Sequence, residues 1–350
     1  MTGVAMTKSS PHVASLTGQA PGLQAAGGSI THLDASTFPI LDRLSIRRLL
    51  LAPLGVREPH WHANCHELGY CLRGEALVTI FSNQSARDSF SVAAGEMFFV
   101  PSGYLHHIEN TGAEEAEFIL GFSHARPEDF GLSGTFGAMT DAVLGNTYGL
   151  PASAFSALVR SPADTGIAMR QRAAAASEDD RRINAHKFAA EAQTAPISSP
   201  AGSARLARKQ FWPILEDIAM YSLRVSDQGM REPHWHPATA EMGYVARGRA
   251  RMTVLSPGAR VDTYELEPGD VYFIPPAYPH HIEDIGQGDI HFLIFFDRET
   301  PGDIGCKASA SAYSREVLAA TFACDVAVLP QFPFTAQDPL IVPRRNPVDR

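Results

Sequence analysis

The hexapeptide Arg57-Glu-Pro-His-Trp-His62 returns unchanged as Arg231-Glu-Pro-His-Trp-His236, 174 residues further along the chain. The same offset of 174 relates Glu67 to Glu241, Gly95 to Gly269 and His106 to His280. Arg57–Gly112 therefore aligns with Arg231–Gly286 without a gap, and over two-fifths of the aligned positions are identical. A repeat of this length sets the architecture before local propensity is considered, because each copy must be a unit that buries its own core. At 350 residues the chain is long enough for two such units.

Within each copy the pattern is β. Leu77–Phe81, Met97–Val100 and Phe118–Leu120 are short apolar or β-branched runs, and Arg251–Leu255, Val271–Ile274 and His291–Phe296 are their counterparts. Gly, Pro and Asn punctuate them, as expected of a small barrel or double-sheet jelly roll. Helical stretches are expected after the barrels, at Ala138–Leu144, Ala152–Val159 and Ser314–Phe322. Residues 1–27 are small and polar and read as a disordered leader or an extended arm. The first domain is expected over 28–160 and the second over 204–345. Residues 161–203 read as a linker, with Lys187–Ala189 as the beginning of the second domain's edge.

The formal net charge is −9 and no Lys/Arg-rich block occurs, which argues against nucleic acid as a partner. No stretch approaches the apolar length of a membrane span, and the start carries no apolar segment of signal-peptide length. The four cysteines Cys65, Cys71, Cys306 and Cys324 form no CxxC pair. A reduced cytoplasmic protein is the expectation.

Side chains alternate along a strand, so His60 and His62 project to one face, as do His234 and His236. Glu67 and Glu241 follow five residues later, across a bend, and Gly74 and Gly248 permit the next tight turn. A further histidine, His106 or His280, follows a Pro-containing corner in each copy. Imidazole nitrogen with carboxylate oxygen suits a divalent first-row metal. The alternative is that one or both sets are ordinary polar groups of a barrel interior. By parity His66, His107 and His281 point to the other face, Trp61 and Trp235 pack outside, and Cys65 is a small packing residue.

Together these two motifs resemble those of the cupin superfamily, over roughly residues 28 to 345. The resemblance implies an all-β fold with accessory helices: two tandem cupin barrels of the double-stranded β-helix, or jelly-roll, type. It implies one metal held by His60, His62, Glu67 and His106 and another held by His234, His236, Glu241 and His280. Within the superfamily the chain looks most like the bicupin oxalate decarboxylases. That likeness implies manganese, with iron, zinc, nickel or cobalt as alternatives, and a small carboxylate as substrate or ligand. It also implies a homo-oligomer and gives Arg57 and Arg231 the role of contacting the substrate carboxylate. A guanidinium fork suits that task, but strand parity turns Arg57 away from His60 unless Pro59 breaks the alternation.

The chain departs from those decarboxylases where their lid carries a proton-delivering glutamate. Leu132 stands there, with Glu128 and Asp129 just upstream as candidate acids, and Ile294 replaces a glutamate of the second barrel's final strand. Three readings stay open: a manganese decarboxylase or oxidase of a small carboxylate, another metal-dependent cupin enzyme such as a dioxygenase or isomerase, and a non-catalytic ligand-binding cupin. One barrel hosts many chemistries, so fold does not choose among them.

Overall fold

Period-two burial is written along the strands of this computed structural model, which describes residues 10–172, 183–227, 229–286 and 288–348. Leu105–Asn110 alternates half-buried and buried positions, and Glu75–Phe81 buries Ala76, Val78 and Ile80 while Glu75 and Phe81 stay exposed. Ala116–Phe122 is buried at every position because it runs through the middle of its sheet with both faces covered. At the turn between Glu67–Arg73 and Glu75–Phe81, Gly74 has φ +79° and an added Cβ would lie 2.8 Å from the Ala116 backbone. Gly248 repeats this conformation in the second copy.

The first unit pairs two antiparallel sheets. One runs Asp129–Gly131, Gly55–His62, Leu105–Asn110, Glu75–Phe81, Arg87–Ala93, with Ile167–Met169 also joined to Gly55–His62. The other runs Lys187–Phe188, Met97–Val100, Glu67–Arg73, Ala116–Phe122, Ser45–Leu51, Gly28–Leu33, Leu23–Ala25. Leu49, Val78, Phe90, Phe98, Ile108 and Phe118 fill the space between them. The second unit repeats both sheets in the same order, around Leu223, Met252, Tyr264, Tyr272, Ile282 and Phe292. The expected fold, two tandem jelly-roll barrels with few helices, is the fold observed.

The boundaries differ from expectation. Residues 10–27 are not a disordered leader: Val13–Ser15 pairs with the second barrel's strand Asp270–Ile274, Val13 opposite Tyr272, and Leu23–Ala25 closes a sheet edge in the first barrel. Residues 1–9 of the expected leader lie outside the described residues. Lys187–Phe188 does not begin the second domain either; it pairs with Met97–Val100 of the first. The first unit thus comprises Leu16–Ala192 and Ile214–Asp217, and the second comprises the residues up to Ser15, Gln193–Pro213 and the chain from Ile218.

An unpaired strand edge is a row of open backbone donors and acceptors, and in each barrel a short passing segment covers it. The covering segments themselves obey the 174-residue offset. His12 donates its Nδ1–H to the Phe273 carbonyl at 2.9 Å, and His186 donates to Phe99 at 2.8 Å. Their small polar neighbours hid this in the sequence.

The helices fall near their expected places. Thr140 caps Asp141–Tyr148 by accepting from the Val143 amide, and Ser314 caps Arg315–Thr321 in the same way. Ala152–Val159 contracts to one 3-10 turn at Ala152–Phe155. No helix among the described residues is long and apolar enough to cross a membrane.

His12→Ala removes one buried hydrogen bond and should cost the second barrel about 1 kcal/mol. Hydrogen exchange would locate the loss: Val271–Phe273 should become less protected while Met97–Val100 keeps its protection.

Candidate metal centres

In the first barrel antiparallel register, not sequence proximity, completes the site: His106 lies directly opposite His60. Glu67 opens the strand Glu67–Arg73 on the facing sheet. All four side chains are buried, and one ligand atom from each lies within 4.8 Å of the others. Each imidazole is fixed at Nδ1. His60 donates to the Glu58 carbonyl at 2.8 Å, His106 to the Tyr104 carbonyl at 3.0 Å, and His62 to the Asp129 carboxylate at 2.8 Å. The Nε2 lone pairs are thereby left to converge, with those of His62 and His106 2.7 and 3.2 Å from Glu67 Oε2. Such outer bonds set the tautomer a metal-binding histidine needs.

His234, His236, Glu241 and His280 repeat the arrangement. His280 faces His234 in register, and the Nδ1 atoms donate to the carbonyls of Glu232, Gly302 and Tyr278.

The donor set fits a cation. Burial, the neighbouring arginine and the other imidazoles push His60 and His234 well below the usual histidine range, so both are neutral. Burial opposes ionisation of Glu67 and Glu241, but the facing histidines outweigh it and hold both carboxyls low. Among the described residues Glu67 Oε1 is buried with no hydrogen-bond partner, a costly position for a carboxylate oxygen unless a cation faces it. In the second centre the corresponding Oε1 of Glu241 accepts from the Tyr272 hydroxyl at 2.5 Å. Position 98 in the first barrel is Phe. A Cβ at Gly243 would lie 2.2 Å from the Tyr272 ring, so glycine there gives that ring its place.

Arg57 is on the ligand side. Ile108 faces Arg57 and His106 faces His60, so three steps along one strand match two along its partner. This bulge at Glu58-Pro59 reverses the alternation, and the second barrel repeats it between Arg231 and His234. Arg57 is 7 % exposed and donates to the Gly166 carbonyl and to Asp129, both at 3.0 Å. Arg231 does the same toward Leu340 and Asp303.

The two candidate acids separate. Glu128 is exposed and hydrogen-bonds through its backbone, to Asn64 and Ala63. Asp129 receives His62, Arg57 and a two-armed contact from Arg47 at 2.5 and 3.1 Å. Burial raises the Asp129 carboxyl, but the His62 and Arg47 bonds prevail and hold it well below the usual carboxylate range. It is an ionised clamp on His62, not a store of protons. Leu132 opens a short helix, Leu132–Gly137.

Other side chains fall where parity put them. His66 accepts from the Ser102 amide and stacks on Phe99, while His107 and His281 face Glu109 and Glu283. Trp61 stacks on Phe130, away from the ligands. Cys65 is buried, and burial pushes its thiol up to about 12.

Four residues were not found from the sequence: Arg47, Tyr221, Tyr272 and Asp303. Asp303 stands 174 residues after Asp129 and was within reach of the offset; Arg47, in the run Ser45–Leu51, carries no motif. A small cavity of about 20 Å³ lies against the second centre, lined by Tyr221, Arg231, His236, Glu241, Ile294 and Asp303 among others.

Comparison with known proteins agrees with this geometry. The family described as Cupin matches residues 15–154 and again 188–328. The chain is 28% identical over 287 residues to oxalate decarboxylase OxdC of Bacillus subtilis, covering 79% of this chain and 73% of that one. It is 35% identical over 106 residues to oxalate oxidase GF-2.8 of Triticum aestivum, covering 29% and 47%. Among solved structures, Bacillus subtilis oxalate decarboxylase superposes with a TM-score of 0.85 at 24% identity, over 98% of this chain and 89% of that one.

Elemental analysis should find two divalent ions per chain, and His106→Ala or His280→Ala should each lower that to about one. Asp129→Asn leaves the buried Arg57 and the half-buried Arg47 without their anion and should cost about 2 kcal/mol near neutral pH. The Asp129 carboxyl is depressed in the folded state, so its contribution is complete above its unfolded value of about 4 and fades as pH falls below it. Chemical denaturation should therefore show the two proteins converging in stability below about pH 4.

Proposed function

The chain belongs to the cupin family, and on that footing we propose that it is a metal-dependent, oxalate decarboxylase-like bicupin acting on oxalate or another small carboxylate. One observation carries this reading: in each barrel a bulge turns a buried arginine onto the same side as a three-histidine, one-glutamate set. A fixed guanidinium beside a cation is a receptor for a carboxylate, able to hold its two oxygens with paired, charge-assisted bonds. Manganese is the proposed ion, supported by the Mn(II) centres of the Bacillus subtilis oxalate decarboxylase whose fold this chain shares.

When bound, the divalent ion supplies Lewis-acid polarisation and a route for one-electron chemistry. The protein supplies the rest. His60, His62 and His106 are fixed in orientation by their Nδ1 bonds. Arg57 uses two of its five N–H donors on Gly166 and Asp129, which holds its fork in place and leaves donors for a carboxylate. Arg231 has the same anchoring in the second barrel.

The fate of the proton separates decarboxylase from oxidase. Oxalate that loses one CO2 becomes formate only by taking up a proton at carbon; with dioxygen as oxidant and two protons, both carbons leave as CO2 and hydrogen peroxide forms. Asp129 is ionised and fully engaged, and Leu132 carries no acid. That favours, as a second reading, an oxidase-type outcome, with Glu128 at the exposed side as the remaining candidate for proton delivery. Positioned acids typically contribute about 10²–10⁴-fold.

The short helices and the turns and coil that follow them expose Tyr148, Leu150, Val159, Phe322, Val328 and Phe334, which supports a homo-oligomer built through these segments.

Manganese-loaded protein given oxalate in air should release CO2 with formate or with peroxide, quantified together. Neither product sinks the proposal. If formate dominates, Glu128→Ala should lower it at unchanged metal content; an unchanged rate removes Glu128 from the reaction.

A further inference from the structure

The 174-residue offset makes every difference between the barrels legible as a substitution at one position, and the largest difference beside the centres is Arg47 against Tyr221. Both lie on the strand that crosses the barrel behind the ligands, Ser45–Leu51 or Ala219–Val225. In the second barrel Tyr221 lines the cavity that also touches Arg231, His236, Glu241 and Asp303. In the first, the Arg47 guanidinium sits 4.6 Å over the ring of Phe122, whose edge contacts the His62 ring at 4.9 Å. Arg47 shares its parity with Leu49 and Leu51 of the barrel core, so it faces inward.

Two guanidinia therefore converge on one carboxylate in the first barrel: Arg47 and Arg57 both hold Asp129, whereas Arg231 alone holds Asp303. The two carboxylates beside these groups match pairwise, Glu67 with Glu241 and Asp129 with Asp303, while Glu128 stands opposite Gly302 and Asp34 opposite Arg208. Arg208 reaches the Tyr221 hydroxyl at 3.1 Å but is not among the residues that line the cavity. With the same ion in both centres, the first site thus places one guanidinium more on its clamping carboxylate than the second does. Among the described residues both hydrogen bonds of Arg47 go to Asp129, so three of its five N–H donors are uncommitted.

We propose that Arg47 sets the anion specificity of the first centre: with Arg57 it selects a small dianion, a dicarboxylate, while the second centre, with tyrosine in that place, takes a monoanion. The proposal deepens the small-carboxylate reading by giving each site its own charge class. A dicarboxylate has a second anionic end that Arg57 alone leaves uncompensated beside the buried ligands. Arg47 supplies the matching charge. Tyr221 supplies only a neutral hydroxyl.

The test is anion binding to the manganese-loaded full chain, followed by calorimetry and by the manganese resonance spectrum. Oxalate and malonate are the dianionic probes, and acetate and formate the monoanionic ones. Wild type should bind both dianions tightly at one centre per chain. Arg47→Tyr, which installs what the second barrel carries there, should weaken both by about 10- to 100-fold, the range for a lost charge-assisted contact. Acetate and formate should shift by no more than about twofold. Tyr221→Arg should create a second dianion site and guards against a folding defect in the first variant. Unchanged oxalate and malonate affinity in Arg47→Tyr overturns the proposal. So does an equal loss for all four anions, or loss of manganese from the first centre, since either makes Arg47 only a support for Asp129 and His62. Malonate keeps the outcome separate from turnover: selective malonate binding stands even if oxalate is not consumed.

Discussion

The pairing of Leu105–Asn110 against Gly55–His62, and of its counterpart against Gly229–Trp235, is the constraint on which the rest depends. It places His106 opposite His60 and His280 opposite His234, and so turns two ligands near in sequence into three near in space. A shift of one residue in either pair would send the third imidazole to the wrong face. The facing sheet contributes the glutamate, so each centre also ties the two sheets of its barrel together. The three-against-two bulge belongs to the same pairing. It reverses parity at one point only, which is why the arginine shares the interior with the histidines without displacing them.

The ligands were legible in the sequence because each is tied to a local pattern: His-x-His at strand period, a glutamate after the bend, a histidine after the proline corner. The repeat then supplied the same statement twice. What it did not supply was anything held by long-range neutralisation. Asp129 stood in the text as a candidate acid, and only its contacts with His62, Arg47 and Arg57 make it a clamp. Arg47 lies in Ser45-Ile-Arg-Arg-Leu-Leu-Leu51, which carries no spacing signal, and its meaning comes from a carboxylate 82 positions away. The domain boundaries failed for a related reason. Edge strands of two or three residues are too short to show alternation, and their partners are distant.

The two centres share their ligands and differ behind them. Glu241 has one oxygen committed to Tyr272, while the matching oxygen of Glu67 has no partner. Asp129 bonds His62 directly, while His236 donates to the Gly302 carbonyl with Asp303 at 3.3 Å. Small changes of this kind alter ligand basicity and the space left for an anion without altering the coordination set. A duplicated chain can in this way keep two similar receptors and let them drift toward different ligands.

Val13–Ser15 also sets an order of events during synthesis. Every strand of the first barrel lies between Leu23 and Phe188, so that barrel is complete in the chain before most of the second has been translated. Val13 cannot meet Tyr272 until the ribosome has passed that residue, on the order of tens of seconds later at ordinary elongation rates. Val13–Ser15 is thus made long before it is placed. The second barrel's edge therefore need not stay open, since the segment that closes it is already waiting on the same molecule when Asp270–Tyr272 is made.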